Sequence, residues 1–320
     1  MDDAMRCGYI CRNPMKVGYW NHENSTWISA SHKMSHQTIT GISLAGESGL
    51  GKSHTLRTIS DNTPQVIQHS NYRPPDLKQA RKVPGLESLQ AEQKFSHIQI
   101  THLIVECPAY SQSPKNMAKA IFAAADEALQ DTDYYNRYGR GSVTDLENNA
   151  HRLARNHSLG VLWIDEVRRL MDSKPTINFL VSLNNIIRVP IVLVGTEQSV
   201  AMFKKDRSIA RRGNKFGDHY WKRINWNDAK GRRDWCNFIK SIEPYQVLKK
   251  FVKMNDDFCK LIWIGSGGIP DYAVKIFRQA QCRALECGIE ELSSDLITSV
   301  SDTLSFSNDF LINPDEPENT

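Results

Sequence analysis

Apolar positions fall into two regimes along the chain. Up to about residue 225, short apolar runs alternate with segments of helical spacing; beyond Asp228 only helical spacing remains. Ile39, Ile42 and Leu44 predict a strand that breaks into a glycine-bearing stretch and leaves as a helix through Leu56 and Ile59. Pro64 to His69 predicts a second strand. Residues 71–97 are polar and proline-bearing, and predict an excursion that is partly helical around Leu86 to Gln93. Gln99 to Cys107 returns as one β-rich run, and Met117, Ala120, Ile121, Ala124 and Leu129 give a helix over 115–130. A Tyr-Gly segment, Tyr134 to Gly141, precedes a helix from about Thr144 to Asn156. Val161 to Ile164 reads as a strand buried on both faces, 176–187 as a helix, and 190–196 as another apolar strand ending in Thr196. A basic helical region and a shorter strand near Tyr220 to Asn225 follow. Such alternation predicts a parallel sheet with helices on both faces. After Asp228 the predicted helices are 235–242, 245–254, 258–264, 272–286 and 294–304, punctuated by Gly265 to Gly268 and with Pro270 at a helix start. They read as a small lid.

The domain organisation expected is an irregular lead-in over 1–37, an α/β core over 38–227, a helical lid over 228–306 and an acidic tail over 307–320. A chain of 320 residues, 40% hydrophobic, holds such a core. No apolar run is long enough to span a bilayer, so no membrane is expected. Met1-Asp2-Asp3 opens no signal-peptide pattern, and seven scattered cysteines suit a reducing cytoplasm. A net charge of +4 does not by itself announce a nucleic-acid binder, but eleven Lys or Arg against three Asp are concentrated from Lys204 to Arg233. Cys7, Cys11, His32 and His36 invite a zinc reading; their spacing departs from that of a zinc finger, which favours free thiols and surface histidines. Asn24-Ser25-Thr26 matches a glycosylation acceptor that a cytoplasmic chain would not use.

The chemistry concentrates after the first strand. Gly46-Glu47-Ser48-Gly49-Leu50-Gly51-Lys52-Ser53 has P-loop spacing in its strand–loop–helix setting. Glycines let backbone N–H groups close on phosphate oxygens, and the following helix presents its positive end to the same anion. Lys52 is expected to reach the β- and γ-phosphates and Ser53 to ligate Mg²⁺; with His54, these are the expected nucleotide-binding residues. Asp165 closes a buried strand and is the expected second Mg²⁺ anchor, while Glu166 is placed to activate the attacking water. A helix N-cap is the plainer reading of an isolated acidic pair. Thr196 is a candidate sensor of the γ-phosphate. Arg211 and Arg212 are candidates for an arginine finger acting on a neighbouring subunit's phosphates, against the alternative of a solvated basic face. Asn214-Lys215-Phe216-Gly217 lacks the acid that guanine recognition needs, so ATP is the expected nucleotide.

These motifs resemble an AAA+ ATPase: an α/β P-loop NTPase core with a parallel sheet flanked by helices, plus a small C-terminal helical lid. With Gly8 to Pro14, Pro64 to His69, Glu106-Cys107-Pro108, Ser208 to Gly213, Phe216-Gly217 and Trp221, the chain resembles the TnsC family in particular. That family comprises the ATPase regulators of Tn-seven-type bacterial transposons, including those carrying CRISPR effectors. The resemblance spans most of residues 5–300. It implies assembly into a homo-oligomeric ring or helical filament on duplex DNA when ATP bridges subunits. It further implies a link between a TniQ-type target selector and the transposase subunits, reset by hydrolysis. Two departures stand out. The excursion at 71–97 is longer than the family's connection, and Gly267 to Asp271 lacks the usual second-sensor arginine, for which Lys275 or Arg278 would have to substitute.

Lys115 and Lys119 are candidate phosphate contacts for the duplex, against the plainer reading of solvated lysines. Phe306, Phe310, Leu311 and Ile312 in the acidic tail have the composition of a docking peptide, expected to recruit the transposase, or of a solubilising end. Two rivals remain: another AAA+ ATPase of DNA metabolism, such as a helicase loader, and a nucleotide-binding scaffold that scarcely hydrolyses.

Overall fold

The computed structural model describes residues 9, 20–21, 26–27, 42–72, 95–109, 113–170, 173–187, 189–199 and 218–304. Cys7, Cys11, His32 and His36, the helical reading at 86–93, Arg211 and Arg212, and the tail 307–320 lie outside them. The chain divides into two compact units, Met1–Ala45 with Ser53–Tyr220, and Gly46–Lys52 with Trp221–Thr320.

In the first unit, a two-residue pair, β1 (Trp20–Asn21) and β2 (Thr26–Trp27), precedes the main sheet. The described residues form a five-stranded sheet of order β6-β7-β8-β3-β9, from β3 (Ile42–Gly46), β6 (His102–Glu106), β7 (Val161–Asp165), β8 (Ile191–Gly195) and β9 (Asp218–Trp221). β6 with β7, β7 with β8, and β8 with β3 all run parallel. The fold is α/β, as the alternating pattern predicts.

β7 shows why its sequence is apolar without alternation. Leu162 and Ile164 face one core with Leu103, Val105 and Ile191. Val161 and Trp163 face a second with Val192, Val194 and Leu56 of helix α1 (Lys52–Asp61). Both sheet faces are covered, so both residue parities must be apolar. The first core is closed by α2 (Pro114–Leu129), whose Met117, Ala118, Ile121, Phe122 and Ala125 are buried at helical spacing, and by α4 (Val143–Asn156) and α5 (Lys174–Ser182). Ser113 caps α2 with Pro114 at its first position, and Ser142 with Asp145 forms a capping box on α4. Between them α3 (Tyr134–Tyr138) is a single short turn. The predicted helix over 176–187 is α5 followed by a wider π-helical turn, Leu183–Ile187.

The single run predicted over 99–107 is two strands. β4 (Val66–Tyr72) pairs antiparallel with β5 (Phe95–Ile100) in a sheet of their own, and β6 begins only at His102. Thr101 makes the break. Its hydroxyl donates to Pro64 O at 2.7 Å, and its N–H donates to Gln65 O at 2.9 Å. Ile100 bonds back to His157 O (2.8 Å) and accepts from the Gly160 N–H (3.0 Å). A Cβ on Gly160 would sit 2.2 Å from Thr101 O, so this close approach requires glycine.

The second unit is helical, with α6 (Ala229–Ile242), α7 (Asp256–Ser266), α8 (Pro270–Glu286) and α9 (Ser294–Thr303) around Trp235, Ile239, Ile262, Trp263, Ile276 and Ile297. Both indoles are satisfied, Trp235 Nε1 by Cys259 O (2.9 Å) and Trp263 Nε1 by Ile224 O (2.7 Å). The predicted strand at 220–225 stops at Trp221, because Ile224 bonds instead to Gly268 O (3.1 Å). The helix predicted over 245–254 is absent; after one 3-10 turn, Glu243–Tyr245, the backbone is satisfied by side chains. Gln246 bridges both polar groups of Val252, Gln281 accepts from Val247 N–H (2.7 Å), and Glu243 accepts from Met254 N–H (2.7 Å). Side-chain acceptors of this quality compete with a helical ladder.

Candidate functional site

The loop Gly46–Lys52 sits within the second unit. Lys52 Nζ donates to Gly46 O at 2.9 Å and to Glu47 O at 2.6 Å. Gly49 and Gly51 adopt φ of 86° and 87°, the left-handed region that glycine alone enters freely. Around Gly49 the space is taken as well: an added Cβ would meet Ile269 Cγ2 at 3.0 Å and Asp271 Cβ at 3.1 Å, whereas around Gly51 it would meet nothing within 4 Å. The Asp271 N–H, in the first turn of α8, donates to Gly49 O at 3.1 Å. On the other side a Cβ at Gly46 would stand 2.8 Å from Trp221 O. Leu50 is buried and Ser48 is exposed. The Glu47 carboxylate receives Arg223, whose Nε donates to both carboxylate oxygens at 3.0 Å and whose Nη2 donates to Oε2 at 2.8 Å.

Two segments of the second unit therefore cradle the loop, one through Trp221 and Arg223 and the other through Ile269 and Asp271. The motif spacing predicts the loop and none of this support. One signal was present, since an acid among backbone groups arranged for an anion asks for a cation nearby.

In the first unit, α1 carries Ser53, half-buried, and His54, exposed, in its opening turn, with no acidic residue there to offset the helix's positive end. Asp165 is buried at the end of β7, its Oδ1 accepting the Glu166 N–H at 2.9 Å and its carbonyl accepting the Cys107 N–H at 3.0 Å. Glu166 is exposed and lies at φ 55°, a left-handed conformation that costs a non-glycine residue about 1–2 kcal/mol. The turn behind it, Val167–Leu170, is held by Arg169, whose Nη1 donates to Glu106 Oε1 (2.8 Å) and to Cys107 O (2.6 Å). Burial pushes the Cys107 thiol up to about 12, so it stays protonated and is no nucleophile.

Registers place the strand ends together. Glu106 is level with Asp165, and Ala45 is level with Gly195. Thr196 follows at once, and its hydroxyl is occupied by Ser199, through Oγ at 3.1 Å and N–H at 3.4 Å. Of the candidate duplex contacts, Lys115 donates to Gly141 O at 2.9 Å and Lys119 is half-buried. Lys275 is paired with Asp271 at 2.6 Å, and Arg278 is exposed.

Ser53 and Asp165 offer a hydroxyl and a carboxylate, both hard oxygen donors. Among the described residues no group of three or more His, Cys, Asp or Glu side chains could hold an ion. That donor set fits Mg²⁺, which keeps several waters and leans on phosphate oxygens, and does not fit a cation needing a closed protein cage.

A family model described as an AAA domain matches residues 36–203, more than half of the chain. The chain belongs to that family. No curated protein matches the sequence. Its fold is similar to that of the Aeropyrum pernix ORC2 protein in ADPNP-ADP complexes, at 12% identity and a TM-score of 0.54, covering 94% of this chain and 67% of that one. Against the ADP form of the same protein the TM-score is again 0.54, with 83% and 63% covered. The Thermotoga maritima RuvB Holliday junction branch migration motor is more distant, at 13% identity and a TM-score of 0.45, with 95% and 69% covered. The chain spans about two thirds of the length of these structures. The AAA domain match contains the glycine loop, the Asp165-Glu166 strand end and Thr196. No helix among the described residues is long and apolar enough to cross a membrane.

Proposed function

We propose that this AAA protein is an ATPase that assembles on duplex DNA and regulates DNA transposition, linking a TniQ-type target selector to the transposase. The observation that carries the ATPase part is the sheet order. β3, which runs into the glycine loop, and β7, which ends in Asp165, flank β8, and all three finish at one edge of a parallel sheet. Ligands of open α/β sheets bind outside that edge. In this reading the loop N–H groups and Lys52 hold the triphosphate, with Lys52 exchanging loop carbonyls for phosphate oxygens. Ser53 and Asp165 would hold Mg²⁺, which would neutralise charge on the β- and γ-phosphates when bound. Glu166 accepts the proton of the attacking water. Thr196 senses the γ-phosphate by giving up its Ser199 bond, and Arg211 or Arg212 completes the site of a neighbouring copy. ATP shared between copies makes a ring or helical filament depend on the nucleotide. The transposition role rests on the resemblance in sequence to the TnsC family.

Three variants, electron microscopy and a capture assay test this. Lys52→Ala is expected to lose ATP binding and ATP-dependent assembly together. Glu166→Gln is expected to bind and assemble while hydrolysis falls by about 100-fold or more, the scale of a lost general base. Arg212→Ala mixed with Lys52→Ala is expected to regain part of the turnover. Electron microscopy with duplex DNA and a non-hydrolysable ATP analogue should show stacked copies; assembly that ignores nucleotide would overturn the proposal. DNA-stimulated turnover with no capture of transposase or TniQ protein would leave the helicase-loader-like reading in its place.

A further inference from the structure

Glu47 is an acid in the second position of a loop that, in the reading above, holds an anion. Its charge would oppose the triphosphate unless it were neutralised. Arg223, 176 positions away, meets it with three hydrogen bonds between 2.8 and 3.0 Å, a two-pronged geometry that a lysine ammonium does not reproduce. Both side chains are partly exposed, 23% for Arg223 and 48% for Glu47, so the pair is worth little as a staple. Its value is elsewhere. Glu47 also offers its backbone carbonyl to Lys52 at 2.6 Å, so the residue whose carboxylate Arg223 fixes is the one that parks the phosphate-binding lysine.

We propose that Arg223 is a positioning residue for nucleotide binding: it cancels the charge of Glu47 and fixes the loop's second residue while Lys52 transfers to the phosphates. The proposal rests on the reading of Gly46–Ser53 as the triphosphate loop. It makes a signed forecast that a simple tether does not. Removing the cation exposes a repelling carboxylate, whereas removing the carboxylate's charge leaves an attracting guanidinium.

The test is titration of the full-length protein with fluorescently labelled ATP at low and high salt. Arg223→Ala is expected to bind about tenfold more weakly at low salt, the scale of one unit charge acting over roughly 10 Å at an effective dielectric near 20. The loss should shrink as salt screens it. Glu47→Gln should bind about tenfold more tightly by the same reasoning, and the double variant should return to within about twofold of the parent. Arg223→Lys should recover part of the affinity. If both single variants weaken binding equally and the double is no better, the pair is a tether and the proposal fails. If Arg223→Ala does not fold, the Glu47→Gln and Arg223→Lys results decide alone: tighter binding by Glu47→Gln, with a loss in Arg223→Lys of less than about tenfold that salt diminishes, supports the proposal, and weakening of Glu47→Gln overturns it. A parent protein that binds no ATP, like Lys52→Ala, removes the loop reading itself. A parent that binds, with Arg223→Ala unchanged, removes only this inference.

Discussion

Arg169, in the turn behind β7, donates to the Glu106 carboxylate at the end of β6 across 2.8 Å, and the same nitrogen meets Cys107 O at 2.6 Å. Two adjacent strand ends are thereby tied at the point where Glu166 is held in a left-handed conformation. Without the tie the turn can relax and move the Glu166 carboxylate from the place that its proposed role as general base requires. Arg169→Ala is expected to lower ATP turnover about 10- to 100-fold, the scale of a displacement near 1 Å. Labelled-ATP affinity should change by less than about twofold. Steady-state turnover beside a binding titration separates the two; an equal loss in both would assign Arg169 to binding.

Gly49 and Gly51 share a left-handed backbone and differ in their surroundings. Gly51→Ala should cost about 1–2 kcal/mol, from the backbone alone. Gly49→Ala carries that cost and also forces its methyl against Ile269 and Asp271, adding about 1–3 kcal/mol of overpacking. Urea unfolding of both variants should therefore rank Gly49→Ala as clearly the less stable; the reverse order would contradict the packing described.

His97 and His151 are buried, and burial is the main reason both are lowered to about 4. For His97 the neighbouring His157 and His69 add to the effect, and for His151 Arg155 does. In the unfolded chain these imidazoles titrate near about 6.5. Between 6.5 and 4 the unfolded state thus binds protons that the folded state refuses. Their contribution to stability is complete above the unfolded value and is lost as the pH falls towards 4. Urea midpoints should decline steadily over that window, and His151→Gln should flatten the decline. Midpoints that stay level from pH 6.5 to 4.5 would contradict these burials.

Thr101 holds the joint between β5 and β6 by donating to Pro64 O at 2.7 Å. Thr101→Val keeps the shape and leaves that carbonyl without its hydroxyl donor. A loss of about 1–2 kcal/mol is expected, with hydrogen exchange accelerating first in β4 and β5. Uniform acceleration across the sheet would instead mean that the paired strands open only with the whole unit.

What the chain declares by itself is what depends on neighbours in sequence. The glycine spacing of 46–53, the double parity of Val161 to Ile164, the strand-end Asp165-Glu166 and the helical spacing of Met117 to Leu129 each state a local backbone and a burial, and the α/β fold follows from their alternation. Tertiary structure decided whatever turns on a distant partner. Thr101 divides a single β-rich run because Pro64, Gln65 and His157 claim its surroundings. Residues 246–254 forgo a helix because Glu243, Gln246 and Gln281 supply better acceptors. Lys115 is spent on Gly141, and Glu47 gains Arg223. Periodicity records which face is buried; it does not record which remote group will satisfy a given donor, charge or carbonyl, since that match is made only when packing within each unit brings the two together.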